Sequence, residues 1–343
     1  MPTKVLIVDD SLLIRNIFEE ILSSDSSIQV VGTAVDAYDA REKIKSLNPD
    51  VITLDVEMPR MDGITFLEKI MTLRPMPVVM VSTLTQKGAN TTIKALELGA
   101  IDYVPKPVNN QTKGSLQILR KELIEKVKVA ANANVRTFNK KESGVIEIPT
   151  GKSFSKNLIA IGSSTGGVEA LKEVLTKLPE NMPPIVVVQH MPEKFTKSFA
   201  ARIDNLCSLN VQEAEDGQVI KPGNVYIAHG GCHFRIKQKG LEIACDLGGT
   251  DKITGHCPSV DALFDTVAKI VGKRALGVML TGMGKDGATG MLNIKKAGGF
   301  NLGQDESSCV VYGMPKEAKQ IGAVDFEVSL SKMSEAIIKN ICN

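Results

Sequence analysis

Tryptophan is absent from these 343 residues, and aromatic residues make up only 4%. Stacking platforms for nucleic-acid bases are therefore scarce. Net charge is nearly absent too: 41 Lys and Arg against 39 Asp and Glu leave +2. That excludes a broadly cationic nucleic-acid binder and an acidic disordered chain. No apolar run approaches the roughly 20 residues that span a bilayer, so no direct membrane insertion is expected. The N-terminus, MPTKVLIVDDS, runs from a short apolar stretch straight into acids, unlike a secretion signal. The six cysteines lie only in the second half and form no CxxC pair. They read as free thiols in a reducing compartment, so a cytoplasmic protein is expected.

What is present is enough chain for two domains. Residues 1–122 alternate short apolar runs with helical patterns, five times over. Continuous apolar runs are the mark of buried parallel strands, so a doubly wound, five-stranded parallel α/β domain is expected. Its first helix, SLLIRNIFEEILSS, places Leu12, Leu13, Ile17, Ile21 and Leu22 on one side. Residues 123–153 are rich in Lys, Asn, Ser and Gly and read as a linker, helical at its start. Residues 154–343 alternate again, around a strand-rich middle. They read as a second α/β domain, Rossmann-like, with a mainly parallel sheet. Charges are close to balanced in both halves.

Ligands of an open parallel sheet bind beyond the carboxyl ends of its strands. In the first half Asp9 and Asp10 close the first strand, and Asp55 closes the third, followed by Glu57-Met58-Pro59. Ser82 and Thr83 close the fourth, and Lys106 the fifth. Three carboxylates brought together repel unless a cation joins them. A hard cation such as Mg²⁺ resolves the conflict and leaves room for a phosphate. Lys106 adds a point charge for phosphoryl oxygens, and Thr83 a hydroxyl. The set fits phosphoryl transfer onto a carboxylate. An isolated DD is an exposed turn and an isolated KP a loop; four such marks in order, each at a strand end, are specific.

Residues 3–122 resemble the receiver domain of bacterial two-component response regulators, through DD at 9–10, LDVEMPRMDG at 54–63, ST at 82–83 and YVPKP at 103–107. The resemblance implies phosphorylation of Asp55 by a histidine kinase. It implies Mg²⁺ at Asp10, Asp55 and the Glu57 carbonyl, with Asp9 behind them. Thr83 and Tyr103 would be the switch pair that reports the phosphate.

In the second half, Gly162-Ser163-Ser164-Thr165-Gly166 matches G-x-S-x-G between a strand and a helix. The glycines permit a sharp turn that exposes Ser164, and the N–H groups opening the helix favour a developing negative charge. A phosphate loop or a plain turn fits the same residues. A serine nucleophile needs a base, and only four histidines are available. His190 ends the apolar run IVVVQH, on the same sheet edge as Ser164. His229 follows VYIA in a less apolar setting. A zinc reading of Cys232, His233, His256 and Cys257 fails on spacing, because the pairs are adjacent in sequence. Those four read as loop and core residues. Asp286, in the loop GMGKDGA, can orient the imidazole; it also reads as a helix cap. The order Ser164, His190, Asp286 differs from the Ser, Asp, His of α/β-hydrolases.

Residues 157–343 resemble the catalytic domain of the chemotaxis protein-glutamate methylesterase family, CheB. The matches are IGSSTGG at 161–167, QHMP at 189–192, FTKSFAARID at 195–204, PGNVYIAHGG at 222–231, PSVDALF at 258–264 and TGMGKDGATG at 281–290. The resemblance implies hydrolysis of glutamyl methyl esters, and deamidation of glutamines, on methyl-accepting chemotaxis receptors. Ser164 would be the nucleophile, His190 the base and Asp286 its orienter. Thr165 and Met283 would shape the site, with the Met283 N–H an oxyanion donor and no cofactor on the esterase side. His229 stands where the family pattern has proline. A chemotaxis histidine kinase as phosphodonor, a monomer, and no nucleic-acid partner are expected. The unphosphorylated receiver is expected to cover the cleft of Ser164.

Rival classes fit less well. A DNA-binding regulator needs a helix-turn-helix and a basic face. A nucleotide module lacks a P-loop GK[ST]. A non-catalytic scaffold would not need Ser164, His190 and Asp286 together.

Overall fold

The computed structural model describes residues 1–83, 85–107, 113–135, 144–148 and 153–342. Two compact units, Met1–Lys140 and Lys141–Asn343, divide the chain. Among the described residues no helix is long and apolar enough to cross a membrane.

In the first unit, strands β1 (Thr3–Val8), β2 (Ile28–Ala34), β3 (Val51–Asp55), β4 (Val78–Ser82) and β5 (Asp102–Pro105) alternate with helices α1 (Leu12–Ser23), α2 (Ala37–Leu47), α3 (Gly63–Leu73), α4 (Gln86–Glu97) and α5 (Lys113–Ala131). The sheet is wholly parallel, in the order β2-β1-β3-β4-β5. Every residue of β3 and β4 is buried, as a sheet covered on both faces requires. Strand order reverses between β1 and β3, which opens a crevice at the ends that carry Asp9 and Asp55.

Two sequence expectations change in detail. Helix α1 buries Ile14, Phe18, Ile21 and Leu22, whereas Leu12 and Leu13 are 63% and 59% exposed. At about 100° per residue, the stripe anchored by Ile14 and Phe18 leaves positions 12 and 13 off the sheet-facing side. Helix α5 also runs through the expected boundary at 122. Its buried stripe continues from Leu119 through Leu123, Val127 and Ala130, so the start of the expected linker is helix packed within the first unit. Most of the expected linker beyond residue 135 lies outside the described residues.

The second unit holds β6 (Leu158–Ser163), α6 (Gly167–Leu175), β7 (Ile185–Gln189), α7 (Glu193–Asp204), β8 (Asn210–Glu213), β9 (Asn224–Ile227), β10 (His233–Lys239), β11 (Glu242–Gly248) and α8 (Val260–Ile270). It continues with β12 (Ala275–Met279), α9 (Ala288–Lys296), β13 (Phe300–Gln304), α10 (Met314–Gln320), β14 (Phe326–Val328) and α11 (Leu330–Ile341). Seven strands form a parallel sheet in the order β14-β13-β12-β6-β7-β9-β8, and β10 and β11 form a separate antiparallel hairpin. The hairpin covers α8: Phe234 and Ile236 share one core with Leu263, Phe264 and Val267. Strand order reverses between β6 and β12, the pair that ends at Ser163 and Met279.

Candidate functional site

The first unit gathers Asp9, Asp10 and Asp55 so that one oxygen of each lies within 4.8 Å of the others. Asp9 and Asp55 are each 1% exposed; Asp10 is exposed. Lys106 Nζ lies 2.6 Å from Asp55 Oδ2 and 3.4 Å from Asp9 Oδ2. One ammonium thus faces two buried carboxylates, and Asp9 Oδ2 is left without a hydrogen bond. Burial, with Asp9 beside it, pushes the Asp55 carboxyl up to about 7 against the pull of Lys106. Burial raises Asp9 as well. A divalent cation fits this arrangement, because an orphaned carboxylate oxygen facing two others is the donor set a hard ion takes.

Backbone and Arg15 fix the pocket. Ser11 N–H donates to Asp9 Oδ1 at 2.9 Å, and Glu57 N–H donates to Asp55 Oδ1 at 3.2 Å. Arg15 donates to the Asp9 and Asp10 carbonyls at 2.7 and 3.0 Å. The Glu57 side chain is exposed. Thr83 is exposed just past β4. Tyr103, on neighbouring β5, is buried with Lys126 Nζ 4.7 Å from its ring centre. Burial raises its hydroxyl well above the usual tyrosine value.

In the second unit the three sequence-derived residues follow three adjacent strands. Ser163 pairs with Gln189 in the register of β6 and β7, so Ser164 and His190 are the next residues of neighbouring strands. The loop carrying Asp286 follows β12 on the other side of β6. Gln189, 3% exposed, ties the two strand ends together. It accepts from Ser163 Oγ at 2.7 Å and donates to the carbonyls of Ser164 and His190 at 2.9 and 3.2 Å. After Ser164 the chain turns through Gly166 at φ +78, where a side chain would strike Val310 and Thr281. Gly167 follows and opens α6; a Cβ there would meet Gln189 Oε1 at 2.0 Å. These glycines let the turn close on the strand ends.

His190 Nε2 lies 2.8 Å from Asp286 Oδ2. Asp286, fully buried, also accepts from Ser259 Oγ at 2.7 Å, Val260 N–H at 2.7 Å and Asp261 N–H at 3.3 Å. The carboxylate therefore sits on the N-terminus of α8, where the helix dipole favours negative charge. The cap expected of Asp286 on the helix that follows it is not made: α9 has Gly287 at its cap with no side-chain bond, and the Asp286 carboxylate instead accepts from the first N–H groups of α8, whose cap is Ser259. Burial raises the Asp286 carboxyl, and His190, Ser259 and the Val260 N–H more than reverse that, leaving it below its ordinary value. An ionised Asp286 makes Nε2 the protonated nitrogen, so Nδ1 carries the lone pair. Nδ1 is buried and has no hydrogen-bond partner among the described residues. The link from His190 to Ser164 Oγ is thus the one bond of the serine–imidazole–carboxylate chain that is not made.

Thr165 is 8% exposed, and its carbonyl accepts from Thr281 Oγ1 at 3.1 Å. Met283 is half-buried beside Gly282, which abuts the Ser164 backbone. No described residue accepts from the Met283 N–H. His229 lies past β9, with Nδ1 3.7 Å from Cys232 Sγ. All six cysteines are free, and among the described residues the only group placed to hold a metal is Asp9, Asp10 and Asp55.

Sequence reasoning left Ser259 and His256 without a role. Ser259 carried a signal, a serine just before the apolar periodicity of VDALF. His256 carried none: its ring stacks on His190, 66 residues away, at 3.8 Å and 7°.

Comparison with known proteins agrees in both halves. The family model for the response regulator receiver domain matches residues 5–113, and that for CheB methylesterase matches 159–337. A Caulobacter vibrioides protein named protein-glutamate methylesterase/protein-glutamine glutaminase 1 is 54% identical over 338 residues, covering 98% of this chain and 97% of that protein. A Nitrosomonas europaea protein named protein-glutamate methylesterase/protein-glutamine glutaminase is 50% identical, covering 98% and 96%. The crystal structure of the Thermotoga maritima CheB methylesterase catalytic domain is 44% identical with a TM-score of 0.53, covering 54% of this chain and 98% of that one.

Proposed function

The chain belongs to the CheB methylesterase family and carries a response regulator receiver domain. From that premise we propose that it hydrolyses glutamyl methyl esters of chemotaxis receptors, under control of a phosphoryl group on Asp55. The receiver extends from the expected 1–122 through the end of α5 at Ala131, the linker follows it, and residues 154–343 serve as the catalytic domain. The observation that carries the reading is the His190–Asp286 pair at 2.8 Å, on the strand end next to Ser164.

The reaction is acyl transfer in two steps. Ser164 Oγ attacks the ester carbonyl while His190 Nδ1 takes its proton. The imidazolium is stabilised through Nε2 by Asp286, whose charge is held by Ser259 and the α8 N-terminus. The carbonyl oxygen becomes an oxyanion, which the Met283 N–H and the start of α6 beyond Thr165 stabilise. His190 returns the proton to the leaving oxygen, and methanol departs. Water then attacks the acyl-enzyme, giving its proton to Nδ1, and the glutamate carboxylate and Ser164 hydroxyl are released. Ammonia leaves less readily than methanol, so the same residues deamidate glutamine more slowly.

On the receiver side, a histidine kinase is the phosphodonor and Asp55 the acceptor. Mg²⁺, held by Asp10, Asp55 and the Glu57 carbonyl with Asp9 behind them, would neutralise charge on the phosphoryl oxygens. Lys106 pairs with the phosphoryl group, and Thr83 and Tyr103 report it. Two assays test the reading. Methanol release from a methyl-esterified receptor fragment is expected to outpace ammonia release from the matched glutamine fragment. Isotopic phosphate from acetyl phosphate is expected on wild type and not on Asp55→Asn. Equal ester and amide rates, or label retained in Asp55→Asn, would overturn it.

A further inference from the structure

Three of the four histidines of the chain meet around Asp286. His190 bonds it directly. His233, 1% exposed, accepts from the Ser259 N–H through Nδ1 at 3.2 Å and donates from Nε2 to the Asp251 carbonyl at 2.7 Å, holding the residue that caps α8. The third, His256, touches neither Asp286 nor Ser259 by a hydrogen bond. It lies face to face with His190, ring centres 3.8 Å apart and planes within 7°.

We propose that His256 is a positioning residue for the esterase reaction: its ring, stacked on the His190 imidazole, locks that imidazole with Nε2 on Asp286 and leaves Nδ1 for Ser164. The inference rests on the reading of His190 as general base. One hydrogen bond, from Nε2, holds the His190 ring, and Nδ1 is buried without a partner. A single bond leaves the ring free to tilt about its Cβ–Cγ axis, and a half-turn would exchange nitrogens with carbons. Such a rotation swings the ring edge out of its plane. With a parallel ring at 3.8 Å, that edge runs into His256. The stack therefore holds the plane of the ring and hinders the flip, and the Nε2 bond sets which edge faces Asp286; together they keep Nδ1 for Ser164.

The mounting of His256 suits this work. Ile253 and His256 exchange both backbone hydrogen bonds, at 3.1 and 2.9 Å, across a two-residue turn. Its central residues Thr254 and Gly255 have φ of +51 and +88, the left-handed pair that a type I′ turn needs. Thr254 Oγ1 donates to Asp261 Oδ2 at 3.0 Å, and Asp261 Oδ1 accepts from Gly290 N–H at 2.7 Å. The turn is thereby tied to the first turns of α8 and α9, the elements that fix Asp286. Burial, then His190, push the His256 imidazole down to about 4, against Asp286 and with a smaller push from Lys252. The ring is neutral when the enzyme works, and a neutral ring neither repels the His190 imidazolium nor supplies a proton.

The test uses the full chain with His256→Phe, His256→Gln and His256→Ala, beside Ser164→Ala, on a glutamate γ-methyl ester peptide. Phe keeps a stacked ring and has no titratable nitrogen; Gln keeps polarity and loses the ring. Gln and Ala should lower kcat about 10- to 100-fold with KM changed by less than about threefold. Phe should stay within about threefold of wild type, with the same pH profile above pH 5. In ¹⁵N NMR, His190 should show a single Nε2-protonated tautomer in wild type and Phe, and a mixture in Gln and Ala. Unaltered kcat in Gln and Ala would overturn the proposal. So would a loss in Phe equal to that in Ala, which would mean that a proton of His256 takes part. Full activity in Ser164→Ala would instead remove the underlying reading of the site.

Discussion

Asp286 joins the base to a helix: one oxygen lies 2.8 Å from His190 Nε2 and 2.7 Å from the Val260 N–H, and the other takes the Ser259 hydroxyl at 2.7 Å. Its negative charge is thus stabilised before any substrate arrives. Asp286→Asn removes that charge while keeping the shape. The expected result is a fall of about 10³- to 10⁴-fold in kcat with little change in KM, because the developing imidazolium loses its counter-charge. Steady-state methanol release at several ester concentrations checks this.

Ser259 serves two ends at once. Its Oγ donates to Asp286 and accepts from the Ala262 N–H as the cap of α8. Ser259→Ala should cost about 1–2 kcal/mol in stability, the usual loss on removing a cap. It should also lower kcat about tenfold. Urea unfolding and ester turnover on one preparation separate the two effects.

Gly167 stands where a Cβ would press on Gln189 Oε1. Gly167→Ala should break the bond from Ser163 to Gln189 and shift the elbow that carries Ser164. Turnover should fall at least tenfold, with phosphorylation of Asp55 untouched. Parallel assays of the two activities check that the damage stays in the second unit.

The two buried acids respond to pH with opposite sign. Asp55 is raised to about 7, so between about pH 4 and 7 the unfolded chain loses a proton that the folded chain keeps. Stability of the first unit should fall across that window, and Asp55→Asn should flatten the fall. Saturating Mg²⁺ should restore stability at pH 8, and chelation should remove it again. Asp286 is depressed, so its contribution is present above about pH 4 and disappears as pH falls through its lower folded value. Thermal melts from pH 3 to 8, with and without Mg²⁺, read both.

The residues at strand ends were legible because buried parallel strands are continuous apolar runs, and chemistry sits where such runs stop. VITLD, LIAIGS and IVVVQ all appear as strands, and Asp55, Ser164 and His190 fall at their ends or one residue beyond. Less apolar segments escaped. β8 (NVQE) and β14 (FEV) are short edge strands, and β13 (FNLGQ) carries buried Asn301 and Gln304 whose amides bond backbone, so none reads as an apolar run. Helix α10 is one short segment after Gly313. The face of α1 was misplaced because Leu12 and Leu13 outweigh Ile14 in a simple apolar count, although Phe18 sets the stripe. Ser259, His233 and His256 act through residues far away in sequence, and spacing carries no trace of that.

The most direct test of the account is methanol release from a methyl-esterified receptor fragment by wild type and Ser164→Ala, each with and without acetyl phosphate and Mg²⁺. The account predicts wild-type turnover that changes with the phosphodonor and falls by several powers of ten in Ser164→Ala under both conditions. Turnover by Ser164→Ala equal to wild type would contradict it, leaving the elbow a structural turn and Asp55 the only chemical site.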